Sequence, residues 1–166
     1  MRRWTIGLLV LASTGIAAAT PASGLPRLTP AEHRYFVTHS LGFHYTFMPY
    51  HPGPRWDLQH AQALHLTQGQ ITALQRQVRG TVKDTKAALQ RVHRAQQRYL
   101  TLAHRADPSI RKVHAAFAAL GLAEAAAATA MLTHHLQAYR LLDPAQQQVY
   151  RELASAMREK MHPAAP

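Results

Sequence analysis

From Thr67 onward the apolar positions of the chain recur at the spacing of one helix face. Ile71, Leu74, Val78, Val82, Thr85, Leu89, Val92, Gln96 and Tyr99 form one stripe. Arg76, Arg79, Lys83, Arg91, Arg94 and Arg98 fall on the opposite side. The pattern predicts an amphipathic helix of roughly 35 residues capped by Thr67, long for a globular protein, with Gly80 as a weak point. Asp107-Pro108 is expected to end it and to cap the next helix. That second helix is predicted over Ser109 to Arg140, with a stripe of Ile110, Val113, Phe117, Leu120, Ala127, Met131 and Leu141. Ala123 to Ala130 is rich in small residues that permit close helix approach. Asp143-Pro144 then opens a last helix lined by Val149, Leu153 and Met157 and ending near Met161, before a frayed tail from His162. The expected fold class is therefore all-α: a long helical hairpin with shorter flanking helices.

The chain ahead of Thr67 reads differently. Thr29-Pro30-Ala31-Glu32 combines an N-cap, a proline suited to the first helical position and a capping-box carboxylate. It predicts a short helix to about Leu41, stopped by Gly42. Phe43 to Pro54 carries Pro49, Pro52, Gly53 and Pro54 and is not expected to be regular helix. A short helical stretch fits Trp56 to His65. The domain plan is thus a leader over 20–54, a helical domain over 55–162 and a tail over 163–166.

The first 19 residues have the plan of a secretory signal: Arg2 and Arg3, then the uncharged run Trp4 to Ala18, then Ala17-Ala18-Ala19. The apolar run is short of the roughly 20 residues that span a bilayer. Cleavage is expected after Ala19, with Ala22 as the second choice, leaving no transmembrane anchor and an exported, periplasmic protein. The formal net charge of +11 then becomes +9, because Arg2 and Arg3 are lost. Such a charge ordinarily points to nucleic acid. Export removes that partner and leaves anionic membrane or acidic protein segments. Cysteine is absent, so neither disulfides nor a thiolate metal site are available. The aromatic residues sit mostly between Tyr35 and Trp56. The long helices therefore bury little bulk, and dimerisation is the usual remedy for a thin core.

Two helix starts share a motif. Leu66-Thr67-Gln68-Gly69-Gln70 fits L-T-x-x-Q, and Leu142-Asp143-Pro144-Ala145-Gln146 fits it with Asp in place of Thr, which keeps the capping oxygen. Leu28-Thr29-Pro30-Ala31-Glu32 is a looser echo. Two such motifs about 75 residues apart on a signal-bearing helical chain resemble the LTxxQ family of Gram-negative periplasmic proteins, which includes the Spy and CpxP proteins and the metal-responsive ZraP and CnrX. The resemblance covers roughly Trp56 to Met161. It implies a cradle-shaped antiparallel homodimer of long bent helices. It also implies one of two roles: an ATP-independent chaperone holding unfolded clients, or a metal-binding protein in a metal-responsive pathway.

Twelve histidines are the sharpest chemical feature. His33, His39, His44 and His51 lie with Met48 in one aromatic stretch, and His60 and His65 follow. Imidazole suits copper, zinc, nickel and cobalt, and thioether favours Cu(I). These seven residues are the candidate metal ligands. Their spacing is poor, since His60 and His65 are five apart and fall on different faces. The CnrX-like members place histidine pairs at helical spacing here, so the register differs. The competing reading is surface histidines standing in for lysine. Met131 with His134 and His135 is a second candidate, more simply read as a core methionine with histidines at its edge. Paired carboxylates are nearly absent, Asp57 and Glu124 stand isolated, and no catalytic signature occurs. No enzymatic activity and no required cofactor are expected. The expected function is binding of unfolded or acidic clients, or of an envelope sensor protein, through Arg76, Arg79, Lys83, Arg91, Arg94 and Arg98. Metal binding is the alternative.

Overall fold

The structure is a computed structural model that describes residues 21–39 and 43–161. The signal segment, both ends of the Leu41-Gly42 stop and the tail from His162 lie outside the described residues. Those described are helical with no strand: α1 (Pro30–His39), a π-helical turn (Phe43–Phe47), α2 (Pro54–Gln59), α3 (Gln68–Ala103), α4 (Ile110–Tyr139) and α5 (Pro144–Met161).

Local chemistry explains most boundaries. Thr67 accepts a hydrogen bond from the Gln70 N–H while the Gln70 side chain accepts from the Thr67 N–H, a complete capping box at α3. Thr29 and Glu32 repeat it at α1, and Asp143 and Gln146 at α5. Other boundaries depart from expectation. The segment after Gly42 winds one π turn, closed by the Met48 N–H on the Phe43 carbonyl, because its prolines begin only at Pro49. The helix expected over Trp56 to His65 starts at Pro54, which has no N–H to leave unpaired, and ends at Gln59. Its continuation is a series of turns that finishes with His65 at a φ of 48°. Asp107 does not cap α4; Ser109 holds the N-cap position.

Helices α3 and α4 make the most extensive contact. Early residues of α3 meet late residues of α4: Gln77 and Asp84 both reach His134, and Tyr99 lies 5.4 Å from Phe117, ring to ring. Gly80 does not interrupt α3. It gives room to the His134 ring, which would sit 2.8 Å from a Cβ at that position. Small residues do the same further along, where Ala88 of α3 and Ala127 of α4 are buried in one cluster with Val92 and Met131.

Three apolar clusters tie the shorter elements to this pair. Ala22 and Leu25 of the leader pack on Leu58, Leu74, Val78 and Ala138. Phe36 of α1 and Phe43 of the π turn join the cluster around Met131. Tyr150 and Ala154 of α5 pack on Leu64 and Leu142. The buried face of α5 is therefore one residue ahead of the expected stripe, whose members Val149, Leu153 and Met157 are only half-buried. The α4 stripe also needs correction. Ile110 is 87% exposed, and Phe117, with the Tyr99 ring against it, is 60% exposed. Leu122, outside the stripe, is 73% exposed.

Candidate functional site

The two LTxxQ-type motifs come together. The Gln70 amide donates from Nε2 to Gln146 Oε1 at 2.6 Å, and Gln146 Nε2 donates back to Gln70 Oε1 at 3.0 Å. Each amide also satisfies a backbone carbonyl: Gln70 Nε2 reaches Leu141 at 2.9 Å, and Gln146 Nε2 reaches His65 at 3.2 Å. Leu142 is buried beneath, and Leu66 packs against two of the clusters. The motif glutamines thus close two helix N-termini and clasp them to one another. Their chemistry is amide hydrogen bonding, which serves positioning.

Arg76, Arg79, Lys83, Arg91, Arg94 and Arg98 are all exposed along α3. None forms a salt bridge among the described residues, where Lys86 with Glu32 at 3.8 Å and His134 with Asp84 at 2.9 Å are the pairs present. Near the end of α3, Arg98 shares a shallow depression with Arg111 and Lys112. On another side Tyr99, Ile110, Val113 and Phe117 line an apolar one.

The seven proposed ligands are only partly gathered. His33 and His44 approach edge to face, with ring centroids 6.0 Å apart. Burial, and then the charge of His33, lowers the His44 pKa. Met48 packs in the cluster around Met131. The other four have separate surroundings. His39 stacks on Tyr35 at 4.4 Å. His51 lies against Phe47 and Tyr139, its pKa lowered by burial. His60 covers Trp56 at 4.0 Å, and its Nδ1 meets the Trp56 carbonyl at 2.9 Å. His65 is exposed and offers its carbonyl to Gln146. Among the described residues no three of His, Asp and Glu converge on one point.

Five residues acquire significance that their place in the sequence did not show. His135 is inside rather than at the edge: it is 7% exposed, and its ring lies 5.3 Å from that of Phe43. Its Nδ1 meets the His51 carbonyl at 2.7 Å, so Nδ1 carries the hydrogen and Nε2 is left with a lone pair. Burial outweighs that bond and lowers its pKa to about 4, keeping the ring neutral. Asp57 is fully buried, and neither carboxylate oxygen has a hydrogen-bond partner. Desolvation raises its pKa to about 8. Tyr150, also buried with an unpartnered hydroxyl, is pushed upward by desolvation and by Asp57. Arg55 donates to the carbonyls of Ala22, Leu25 and Pro26, fastening the leader to α2. Glu124, in turn, is not isolated: it accepts from the Tyr35 hydroxyl at 3.1 Å, and burial followed by the Glu124 charge pushes that hydroxyl to about 12. A favourable patterning signal existed only for His135, four residues after Met131 on the same helix face.

Comparisons of the chain with protein-family models, with curated proteins and with solved structures gave no match in any of the three.

Proposed function

We propose that this protein is an exported, periplasmic client-binding protein of the chaperone type, acting without ATP. The observation that carries the reading is the surface of α4. Of the residues in its most apolar stretch only 17% are buried, and Ile110, Phe117 and Leu122 stand exposed. Exposed apolar surface of this kind marks an interaction site. The exposed cations of α3 lie on the helix packed against it. An unfolded segment rich in acidic and apolar residues is complementary to both: electrostatics speeds its encounter, and apolar contact holds it. In this reading α3 and α4 form a long hairpin. Part of the apolar surplus is covered by a second copy, giving a cradle-shaped antiparallel homodimer.

The test is aggregation of a chemically denatured client diluted into buffer with the purified mature protein, at low and physiological salt. Suppression is expected at both, stronger at low salt. Unchanged aggregation at both refutes the reading. Sedimentation equilibrium tests the dimer, and a monomer at micromolar concentration removes it.

The paired rings of His33 and His44 support metal binding as a second reading. Titration calorimetry with copper, zinc, nickel and cobalt tests it. Absence of heat, or heat that persists unchanged after His44→Ala, defeats it.

A further inference from the structure

A cavity of about 650 Å³ opens where the leader, the Met48–Arg55 segment, α3 and α4 meet. Its volume lies within the range of small-molecule sites, as does its make-up of apolar walls with few polar groups. The walls are Leu28, Met48, Pro52, Val78, Val82 and Met131. Two methionines among them supply flexible, polarisable surface that adapts to an alkyl chain.

No carboxylate lines the cavity, and His33 and Gln59 add polar groups to its wall. His135 lines it as a neutral imidazole, and the Thr81 hydroxyl there is occupied by the Gln77 carbonyl at 2.8 Å. The charges are Arg27 and Arg55, which also line the cavity. They lie close enough that the Arg27 charge, after burial, depresses the Arg55 pKa. Neither pairs with a carboxylate among the described residues. Arg55 spends one Nη1–H and its Nη2 hydrogens on leader carbonyls, which leaves Nε–H and the second Nη1–H free. Arg27 is exposed at the rim of the cavity. Two adjacent guanidinium groups without a carboxylate partner, beside a largely apolar cavity, form half of an ion pair.

We propose that this cavity binds a single-chain anionic amphiphile, a long-chain carboxylate, with its alkyl tail against Val78, Val82, Met48 and Met131 and its head group between Arg27 and Arg55. The carboxylate accepts N–H donors in the bidentate geometry that guanidinium favours. The tail exchanges water for the apolar walls. This inference is independent of the client-binding reading, because it uses neither the exposed face of α4 nor the cations along α3.

The experiment is calorimetric titration of the full mature chain with dodecanoate, tetradecanoate and hexadecanoate, and with hexadecanol, each below its self-association concentration. One ligand per chain is expected, with affinity rising about fourfold per added methylene. Hexadecanol should bind at least tenfold more weakly than hexadecanoate. Arg27→Gln should weaken the carboxylate severalfold and leave the alcohol unchanged. Val82→Trp, at a half-buried wall position, should abolish binding of both with helicity and Tm retained. In the unsubstituted chain the methyl resonances of Met48 and Met131 should shift on binding, a readout that needs no variant. Absence of binding, equal affinity for acid and alcohol, several ligands per chain unaffected by Val82→Trp, or unmoved methionine resonances each overturn the proposal.

Discussion

Replacing Gln146 by Ala removes four side-chain hydrogen bonds at once. Gln146 accepts from the Asp143 N–H at 3.0 Å and from Gln70 at 2.6 Å, and donates to Gln70 and to the His65 carbonyl. At a net value of about 0.5–1.5 kcal/mol each, the sum would be about 4 kcal/mol. Part is recovered. Gln70 keeps the Leu141 carbonyl and the Thr67 N–H, and Asp143 is exposed, so its N–H finds water. The expected cost is about 2–3 kcal/mol, a fall in Tm of roughly 5–10 °C for a chain of this size. Gln70→Ala should cost a similar amount. The double substitution should cost less than the sum by about 1–2 kcal/mol, since either change alone already breaks the shared amide pair. Urea titration followed by far-ultraviolet circular dichroism measures all three, with exposed Gln148→Ala as the reference at under about 0.5 kcal/mol. Additivity within about 0.5 kcal/mol, or a Gln146 variant no weaker than the Gln148 one, would refute the clasp.

Other expectations follow from buried groups and tight contacts. Asp57 keeps its proton in the folded chain up to about pH 8, whereas the unfolded chain releases it near its ordinary value of about 4. The folded state holds more protons between those limits, so stability falls as pH rises from about 4 to about 8. Asp57→Asn should remove this fall, and its gain over the parent, read from urea midpoints, should grow across that window and then level off. Gly53→Ala should cost more than about 2 kcal/mol by the same titration, because a Cβ there lies 2.5 Å from the His135 ring and the φ is 92°. Gly80→Ala should lack the usual gain of about 1 kcal/mol for such a helix-interior change and lower Tm instead, since His134 must leave Gln77 and Asp84. Phe117→Asp with Leu122→Asp should leave Tm within a few degrees and at least halve suppression of client aggregation, as both side chains are exposed.

What the sequence makes legible is what short-range chemistry decides. The three capping boxes at Thr29, Thr67 and Asp143 each form within four residues, and each marks a helix start in the structure. The 3.6-residue period placed Leu74, Val78 and Val92 on the buried face of α3 for the same reason. Other features depend on which elements meet. Gln70 and Gln146 each read as a local cap, and nothing local shows that the second lone pairs and hydrogens belong to one another. Periodicity counts Ile110 and Phe117 as core, but burial also requires enough partners, and with the Tyr99 ring against Phe117 both still stay exposed. Asp57 reads as an isolated carboxylate; only the packed structure shows it fully buried and near enough to Tyr150 of α5 to raise the pKa of that hydroxyl. Among the proposed ligands, the π turn brings His44 to His33, while stacking on Tyr35 and Trp56 occupies His39 and His60.

Residues 21–28 are synthesised before every residue they pack on. Ala22 and Leu25 belong to the same cluster as Leu58, Leu74, Val78 and Ala138, and the Pro21 carbonyl accepts from Gln75. Their final partner, Ala138, emerges only after nearly the whole of α4 has been synthesised. Until that point in synthesis, residues 21–28 have no complete surface to dock on. They can complete their contacts only once α4 has packed on α3. A cut after Ala22 would remove Pro21 and Ala22, with the carbonyls held by Gln75 and Arg55, whereas a cut after Ala19 spares both.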